Sequence, residues 1–112
     1  MFIEDLENEL VAKQERINEL TNELITMFDE VNFNRKVTPN GISFDYTYHN
    51  VYANFYVDGK LDYKGYVTND SDNSSNYSIK GNIDNVISAA DNLIDMFFNE
   101  VDNSSDENMF SL

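Results

Sequence analysis

The pattern of apolar and polar positions predicts a long amphipathic helix at the start of the chain. No Gly or Pro interrupts residues 3–31, and apolar residues recur there at heptad spacing, with one polar exception at Lys13. The apolar positions of this repeat are Ile3, Leu6, Leu10, Ile17, Leu20, Leu24, Met27 and Val31. At about 1.5 Å per residue, this helix is expected to be about 43 Å long.

The two halves of this predicted helix differ in the width of the apolar stripe. The C-terminal half adds Ile25 and Phe28, which gives the broad stripe that packs on a sheet. The N-terminal half has only a narrow oligomer seam of Ile3, Leu6 and Leu10. A strand of seven residues spans about 23 Å, so the helix is expected to overhang its sheet by roughly 20 Å. The seam then needs a partner, which is a second copy, the C-terminal segment or a foreign protein.

Alternating apolar and polar residues over 42–68 predict a three-stranded antiparallel meander. A two-residue turn at residues 49–50 pairs Phe44 with Phe55. A three-residue loop at residues 58–60 keeps the apolar residues of the third strand on the same face of the sheet. The apolar residues expected on one shared face are Ile42, Phe44, Tyr46, Tyr48, Val51, Ala53, Phe55, Val57, Leu61, Tyr63, Gly65 and Val67.

The remaining segments complete an αββββα order. Residues 32–41 are interpreted as a connector that contains a turn signal. Residues 77–80 fit a short edge strand, and Asn82 is a suitable N-cap for a second amphipathic helix over residues 83–101. The sequence therefore predicts an α+β fold, in which an antiparallel sheet of three to four strands has both helices packed on one face.

Length and composition indicate one small domain. The chain has 112 residues, of which 41% are hydrophobic, and this suffices for one core in residues 1–101. The acidic, Ser-rich residues 102–112 are expected to form a disordered tail. The chain contains no Cys, which excludes disulfides and thiolate chemistry. It has no apolar run as long as a membrane span and no readable signal peptide, so a cytoplasmic location is expected.

Charge is the most unusual property of the sequence. Asp and Glu number 21 against 7 Lys and Arg, which gives a formal net charge of −14. Small domains normally keep their net charge within a few units, because an excess of one sign destabilises the compact state. We therefore expect a basic protein as partner, rather than nucleic acid or an anionic membrane. High solubility or biased codon usage is the alternative explanation.

Carboxylates recur on the polar faces of both predicted helices. A four-residue spacing places side chains about 6 Å apart, close to the spacing of successive phosphates along one DNA strand. An ordinary solvated helix face is the alternative, and the scarcity of Lys and Arg argues against it. The candidate partner-binding residues on the helices are Glu15, Glu19, Glu23, Asp29, Glu30, Asp84, Asp91 and Asp95.

The outer face of the sheet is a second candidate surface. Tyr52 and Tyr66 are expected to be cross-strand neighbours, and Tyr56 is expected to lie beside Asp62, with Asp45 nearby. Tyr is enriched at interfaces, and carboxylates next to it can pair with Arg on a partner. Aromatic residues also favour strands for purely structural reasons, and the two explanations are left open.

No constellation of residues in the sequence indicates catalysis or metal binding. The single histidine, His49, lies at a predicted hairpin tip without an orienting partner. The chain has no Gly-rich phosphate loop, no serine triad and no zinc-ligand spacing. We therefore expect no enzymatic activity, no cofactor and no metal.

In size, charge, lack of Cys, Asn-rich composition and αββββα order, the chain resembles the small acidic inhibitors encoded by phages and mobile elements. These include anti-CRISPR and anti-restriction proteins, some of which are DNA mimics. The resemblance rests on no diagnostic motif, so it assigns no role to a particular residue. It implies that carboxylates take phosphate positions in the basic groove of a CRISPR effector or restriction nuclease. The alternative is a phage or bacterial structural or assembly protein that oligomerises, as a homodimer for example, through the seam.

Overall fold

The fold comes from a computed structural model that describes residues 2–70 and 76–110, with side chains for residues 7–70 and 76–102. A short 3₁₀ turn at Ile83–Asn85 precedes the second helix. The elements in chain order are α1 (Phe2–Glu30), β1 (Asn34–Thr38), β2 (Gly41–Tyr48), β3 (Val51–Asp58), β4 (Tyr63–Asn69), β5 (Tyr77–Gly81) and α2 (Val86–Phe110). The predicted α+β fold is confirmed.

The sheet has five antiparallel strands in the order β1-β2-β3-β4-β5. The interpretation of residues 32–41 as a plain connector is wrong, because residues 34–38 form an edge strand in which Arg35 lies opposite Phe44. The turn after β1 is held by Thr38, whose hydroxyl donates to the Gly41 carbonyl at 3.0 Å and accepts from the Gly41 amide at 3.2 Å. This local hydrogen bonding folds the connector back into a hairpin.

The core lies between the sheet and the two helices and is centred on aromatic rings. Phe28 of α1 is fully buried and stacks on Phe44, with ring centroids 4.4 Å apart. The same ring lies 5.1 Å from Phe33 and 5.4 Å from Phe55. Aromatic pairs at these distances add stability beyond the area that they bury. Phe28 therefore joins α1 to β2 and β3 at the middle of the core.

The β3–β4 loop differs from the predicted one. The Asp58 amide donates to the Asp62 carbonyl at 3.0 Å, so the loop consists of residues 59–61 rather than 58–60. The Asp58 carboxylate accepts hydrogen bonds from the amides of Lys60 at 2.9 Å and Asp62 at 3.0 Å. Leu61 has a φ of 63°, which is unfavourable for this residue type, and its complete burial offsets the cost.

This loop changes the β3–β4 register by two residues. Val57 lies opposite Tyr63, where a loop at residues 58–60 would have placed Leu61. Side chains alternate with a period of two, so the shift leaves every residue of β4 on its predicted face. The buried positions Tyr63 and Val67 confirm that face, whereas the cross-strand neighbours on the outer face change.

We expect Asp58→Ala to destabilise the protein by about 1–3 kcal/mol, because two backbone amides lose the carboxylate that orders the turn. Urea denaturation followed by circular dichroism measures the change. Asp62→Ala is the matched control, since it removes the same charge at the other end of the loop, and it is expected to change stability by less than about 0.5 kcal/mol. Equal effects of the two substitutions would show that charge rather than capping matters.

The two helices run side by side in the same direction. Arg16 in the middle of α1 contacts Asp84 just before α2, at 3.5 Å. Phe33, just after α1, lies 5.4 Å from Phe97 in α2. Each helix therefore extends past the other at opposite ends of the domain, which measures 72 × 23 × 22 Å. We name residues 2–12 the α1 overhang; its described side chains, those of residues 7–12, are all exposed.

α2 continues to Phe110, so the predicted helix end at Val101 is wrong. Residues 102–110 of the predicted disordered tail are helical, and residues 111–112 lie outside the described residues. Asn82 caps the 3₁₀ turn that leads into α2, and its side chain accepts a hydrogen bond from the Asp84 amide at 3.0 Å. Residues 86–110 contain no Gly or Pro, which allows a continuous helix over this range.

Candidate functional site

The polar side of α1 presents a row of carboxylates to solvent. Glu15, Glu19 and Glu23 are exposed at successive turns, on the side opposite Leu24 and Phe28. Like charges at this spacing weaken a helix by a few tenths of a kcal/mol. The row therefore lowers the stability of α1 slightly.

The row continues to the end of α1 with two more exposed carboxylates, Asp29 and Glu30. Acidic residues are unfavourable at a helix C-terminus, where the backbone carbonyls carry partial negative charge. Arg35 of β1 compensates part of this cost by donating a hydrogen bond to Asp29 at 3.1 Å. The exposed carboxylates thus extend along α1 from Glu15 to Glu30.

A second row lies on α2 and in the turn before it. Asp84, Asp91 and Asp95 are exposed, and the parallel course of the helices places this row next to the first. Glu23 and Asp91 line the same groove between the helices. We name the eight carboxylates predicted from the sequence the acidic helical face; Glu23, Asp84 and Asp91 line its groove, whereas Asp29 contacts Arg35 of β1. Its members are Glu15, Glu19, Glu23, Asp29, Glu30, Asp84, Asp91 and Asp95.

The groove within the acidic helical face has an apolar floor, and sequence reasoning did not find it. Its apolar lining residues are Leu20, Met27, Ile83 and Ile87. Lys and Arg side chains of a partner have apolar stems and charged heads. The stems can pack on the apolar floor, and the heads can pair with the carboxylates at the rim. Met27 and Ile87 are partly buried where the two helices meet. Their place in the groove can be recognised only once the pairing of the helices is known.

Few cations compensate the acidic helical face. Arg16 contacts Asp84 at 3.5 Å, and both side chains are more than half exposed, so this ion pair contributes at most about 1 kcal/mol. In the part of the chain that the structure describes, Glu15, Glu19, Glu23, Asp91 and Asp95 form no salt bridge. These five carboxylates are therefore available to cations from a partner.

The outer face of the sheet differs from its predicted form in the register of both predicted pairs. Tyr56 lies directly opposite Lys64 rather than Asp62, because of the shifted β3–β4 register. The Lys64 ammonium lies 5.8 Å from the centre of the Tyr56 ring, and Lys64 itself pairs with Lys80 of β5. Asp62 is therefore a diagonal neighbour of Tyr56 rather than its direct partner, and the residue directly opposite Tyr56 is a lysine.

Tyr52 and Tyr66 are neighbours, as predicted, although they lie diagonally across β3 and β4. Their ring centroids are 5.7 Å apart, and Asn54 rather than Tyr52 is directly opposite Tyr66. Burial raises the pKa of the Tyr52 hydroxyl, a hydrogen bond with Asn54 opposes the shift, and the charges of Tyr66 and half-buried Asp45 add to it. Tyr52 therefore keeps its proton at neutral pH and can donate a hydrogen bond.

The predicted oligomer seam is described in part. Leu10 is 59% exposed, and its neighbour Val11 is 55% exposed. The side chains of Ile3 and Leu6 lie outside the described residues. The structure thus leaves Leu10 without cover from its own domain, as expected for a helix that extends beyond its sheet.

His49 lies at the tip of the β2–β3 hairpin with a φ of 55°, and its ring packs against Tyr48 with centroids 4.4 Å apart.

No helix in the described part of the chain is long and apolar enough to cross a membrane. Comparison with known proteins finds no family model, no curated protein and no solved structure that matches this chain.

Proposed function

We propose that the protein is a non-enzymatic inhibitor of a nucleic-acid-binding defence nuclease, such as a CRISPR effector or a restriction enzyme. In this proposal a phage or mobile element encodes it, and it acts in the host cytoplasm. The acidic helical face occupies the basic groove in which the nuclease holds its nucleic acid. Carboxylates then take the positions of phosphates, as in a DNA mimic.

The observation that carries the proposal is the pairing of two parallel helices with adjacent rows of carboxylates. One row follows α1 through Glu19 and Glu23, and the other follows α2 through Asp91 and Asp95. Both rows are exposed, and the groove between them is apolar at its floor. A basic groove that binds a nucleic-acid strand presents rows of Lys and Arg, and such rows are complementary in charge to this surface.

Affinity capture with stepped salt elution tests the proposal. The immobilised protein is exposed to a lysate of bacteria that contain CRISPR and restriction enzymes, and bound proteins are identified by mass spectrometry. We expect a nuclease that elutes at elevated salt and is displaced by its own nucleic acid. Capture of acidic proteins that bind no nucleic acid, or failure to capture any nuclease, would contradict the proposal.

A second candidate function is that of a structural or assembly protein that oligomerises through the α1 seam. The observation that favours it is the exposed pair Leu10 and Val11 on a helix segment that its own domain leaves uncovered. Two such overhangs can bury their apolar stripes against each other as a short coiled coil.

For this second candidate, Leu6→Asp plus Leu10→Asp is expected to dissociate a seam oligomer to monomer, because charges replace the apolar contacts. Multi-angle light scattering measures the mass. Asn8→Asp plus Ala12→Asp is the matched control, since it adds the same charge on the opposite side of the overhang and is expected to leave the oligomer intact. A wild-type monomer at high micromolar concentration would exclude this function.

A further inference from the structure

Three cations converge on one cleft where α1 leaves the sheet. Lys13 and Arg16 of α1 and Lys60 of the β3–β4 loop line it, together with the apolar side chains of Ile17 and Ile83. The cleft has a volume of about 440 Å³. The whole chain has only 7 cations against 21 acidic residues, so the meeting of three cations from two separate elements is unexpected for a random surface. Their chemistry fits an anionic ligand that also carries an apolar group.

Lys13 is the polar exception in the heptad repeat, and the cleft accounts for it. Lys13 is exposed and lines the cleft rather than the core. Asp84 contacts Arg16 at 3.5 Å, but the two side chains are 54% and 77% exposed, so solvent screens this pair. All three charged residues that line the cleft are cations, so its lining is positive.

The geometry points to the C-terminal segment of a second copy as the occupant of this cleft. Residues 102–112 contain Asp102, Asp106 and Glu107, followed by Met109 and Phe110, and they contain no cation. Carboxylates of this segment match the three cations, and its apolar residues match the floor that Ile17 and Ile83 provide. Each property of the cleft thus has a counterpart within one short piece of this chain.

The C-terminal segment of the same chain cannot reach the cleft. Ile83 lines the cleft, and α2 runs from there towards the opposite end of the sheet, where Glu100 accepts a hydrogen bond from Asn69 at 3.1 Å. Residues 86–110 span about 37 Å of helix, which carries the segment away from the cleft. The segment must therefore come from another molecule.

This contact joins different surfaces of two identical molecules, head to tail. A contact of this type generates rings when the rotation closes and open chains when it does not. Glu7 and Glu9, further along the α1 overhang, disfavour an acidic partner there and confine the contact to the cleft. The inference is independent of the inhibitor function, because the variants that test it leave every carboxylate of the acidic helical face unchanged.

Sedimentation velocity over a range of protein concentrations tests the contact. The wild-type protein is expected to form oligomers that grow with concentration beyond a dimer. Lys13→Glu plus Lys60→Glu is expected to raise the concentration needed for assembly at least about tenfold, because the cleft loses its charge. Lys36→Glu plus Lys64→Glu is the matched control; it makes the same charge change at exposed positions on the outer sheet face and is expected to leave assembly unchanged.

A charge exchange identifies the partner segment. Asp106→Lys plus Glu107→Lys is expected to abolish assembly alone and to restore it when mixed with Lys13→Glu plus Lys60→Glu, since the reversed charges match again. Circular dichroism confirms that the variants are folded. Wild-type protein that stays monomeric at high micromolar concentration, or C-terminal variants that assemble normally, would overturn the inference. Nuclease inhibition measured at low concentration reports on the proposed function separately.

Discussion

Replacing Glu19 and Glu23 with lysine is expected to weaken binding to the target nuclease at least about hundredfold. Both side chains are exposed on the acidic helical face, and Glu23 also forms part of the rim of its apolar groove. Each substitution replaces an attraction to a basic groove with a repulsion at the same place. Because two adjacent turns of α1 change sign, a partner cannot avoid the altered charges by a small shift. The dissociation constant at fixed ionic strength measures the effect.

The control for this experiment is Glu7→Lys plus Asp70→Lys. Both residues are exposed and lie outside the acidic helical face, and the two variants change the net charge equally. The control is expected to change affinity by less than about tenfold, through long-range attraction alone. Equal losses in the two variants would show that net charge, rather than this face, determines binding. Unchanged affinity in the Glu19 and Glu23 variant would remove the face from the interface.

Phe28→Ala is expected to destabilise the protein by about 3–5 kcal/mol. The ring is fully buried and contacts Phe33, Phe44 and Phe55, with centroids 4.4–5.4 Å away. Its loss leaves a cavity between α1 and the sheet, which few neighbours can fill. A domain of this kind has about 5–15 kcal/mol of stability, so much of it is lost. Urea denaturation measures the change.

Leu10→Ala is the control for the core substitution, because Leu10 belongs to the same helix and is 59% exposed. It is expected to change the stability of the monomer by less than about 0.5 kcal/mol. A loss of less than about 1 kcal/mol in Phe28→Ala would show that α1 does not depend on this ring for its attachment to the sheet.

The periodicity of the sequence was sufficient to predict the helices and the faces of the central strands. A period of two assigns each residue to a face of the sheet whatever the register is. The prediction that Val57 and Val67 face the core is therefore confirmed, although the register changed. The register itself depends on the β3–β4 loop, where Leu61 adopts a conformation that Gly or Asn usually takes. No pattern in the sequence signals this conformation, because the Asp58 carboxylate and the burial of Leu61 jointly stabilise it.

β1 was missed for a different reason. Its inward-facing positions are Arg35 and Val37, and Val37 is 69% exposed, so the strand lacks the alternation by which strands are recognised. Likewise, the carboxylates of the acidic helical face were found by their spacing, whereas the groove between Glu23 and Asp91 was not. The groove arises from the parallel packing of α1 and α2, which pairs residues more than 60 positions apart.

The measurement that tests the central claim most directly is a competition between this protein and nucleic acid for one nuclease. A nuclease identified by the affinity capture is first loaded with labelled nucleic acid. The unlabelled protein is then added at fixed salt. If the acidic helical face occupies the nucleic-acid groove, the label is displaced completely, and the protein needed increases in proportion to the nucleic acid present. A stable ternary complex of nuclease, nucleic acid and protein would contradict the account.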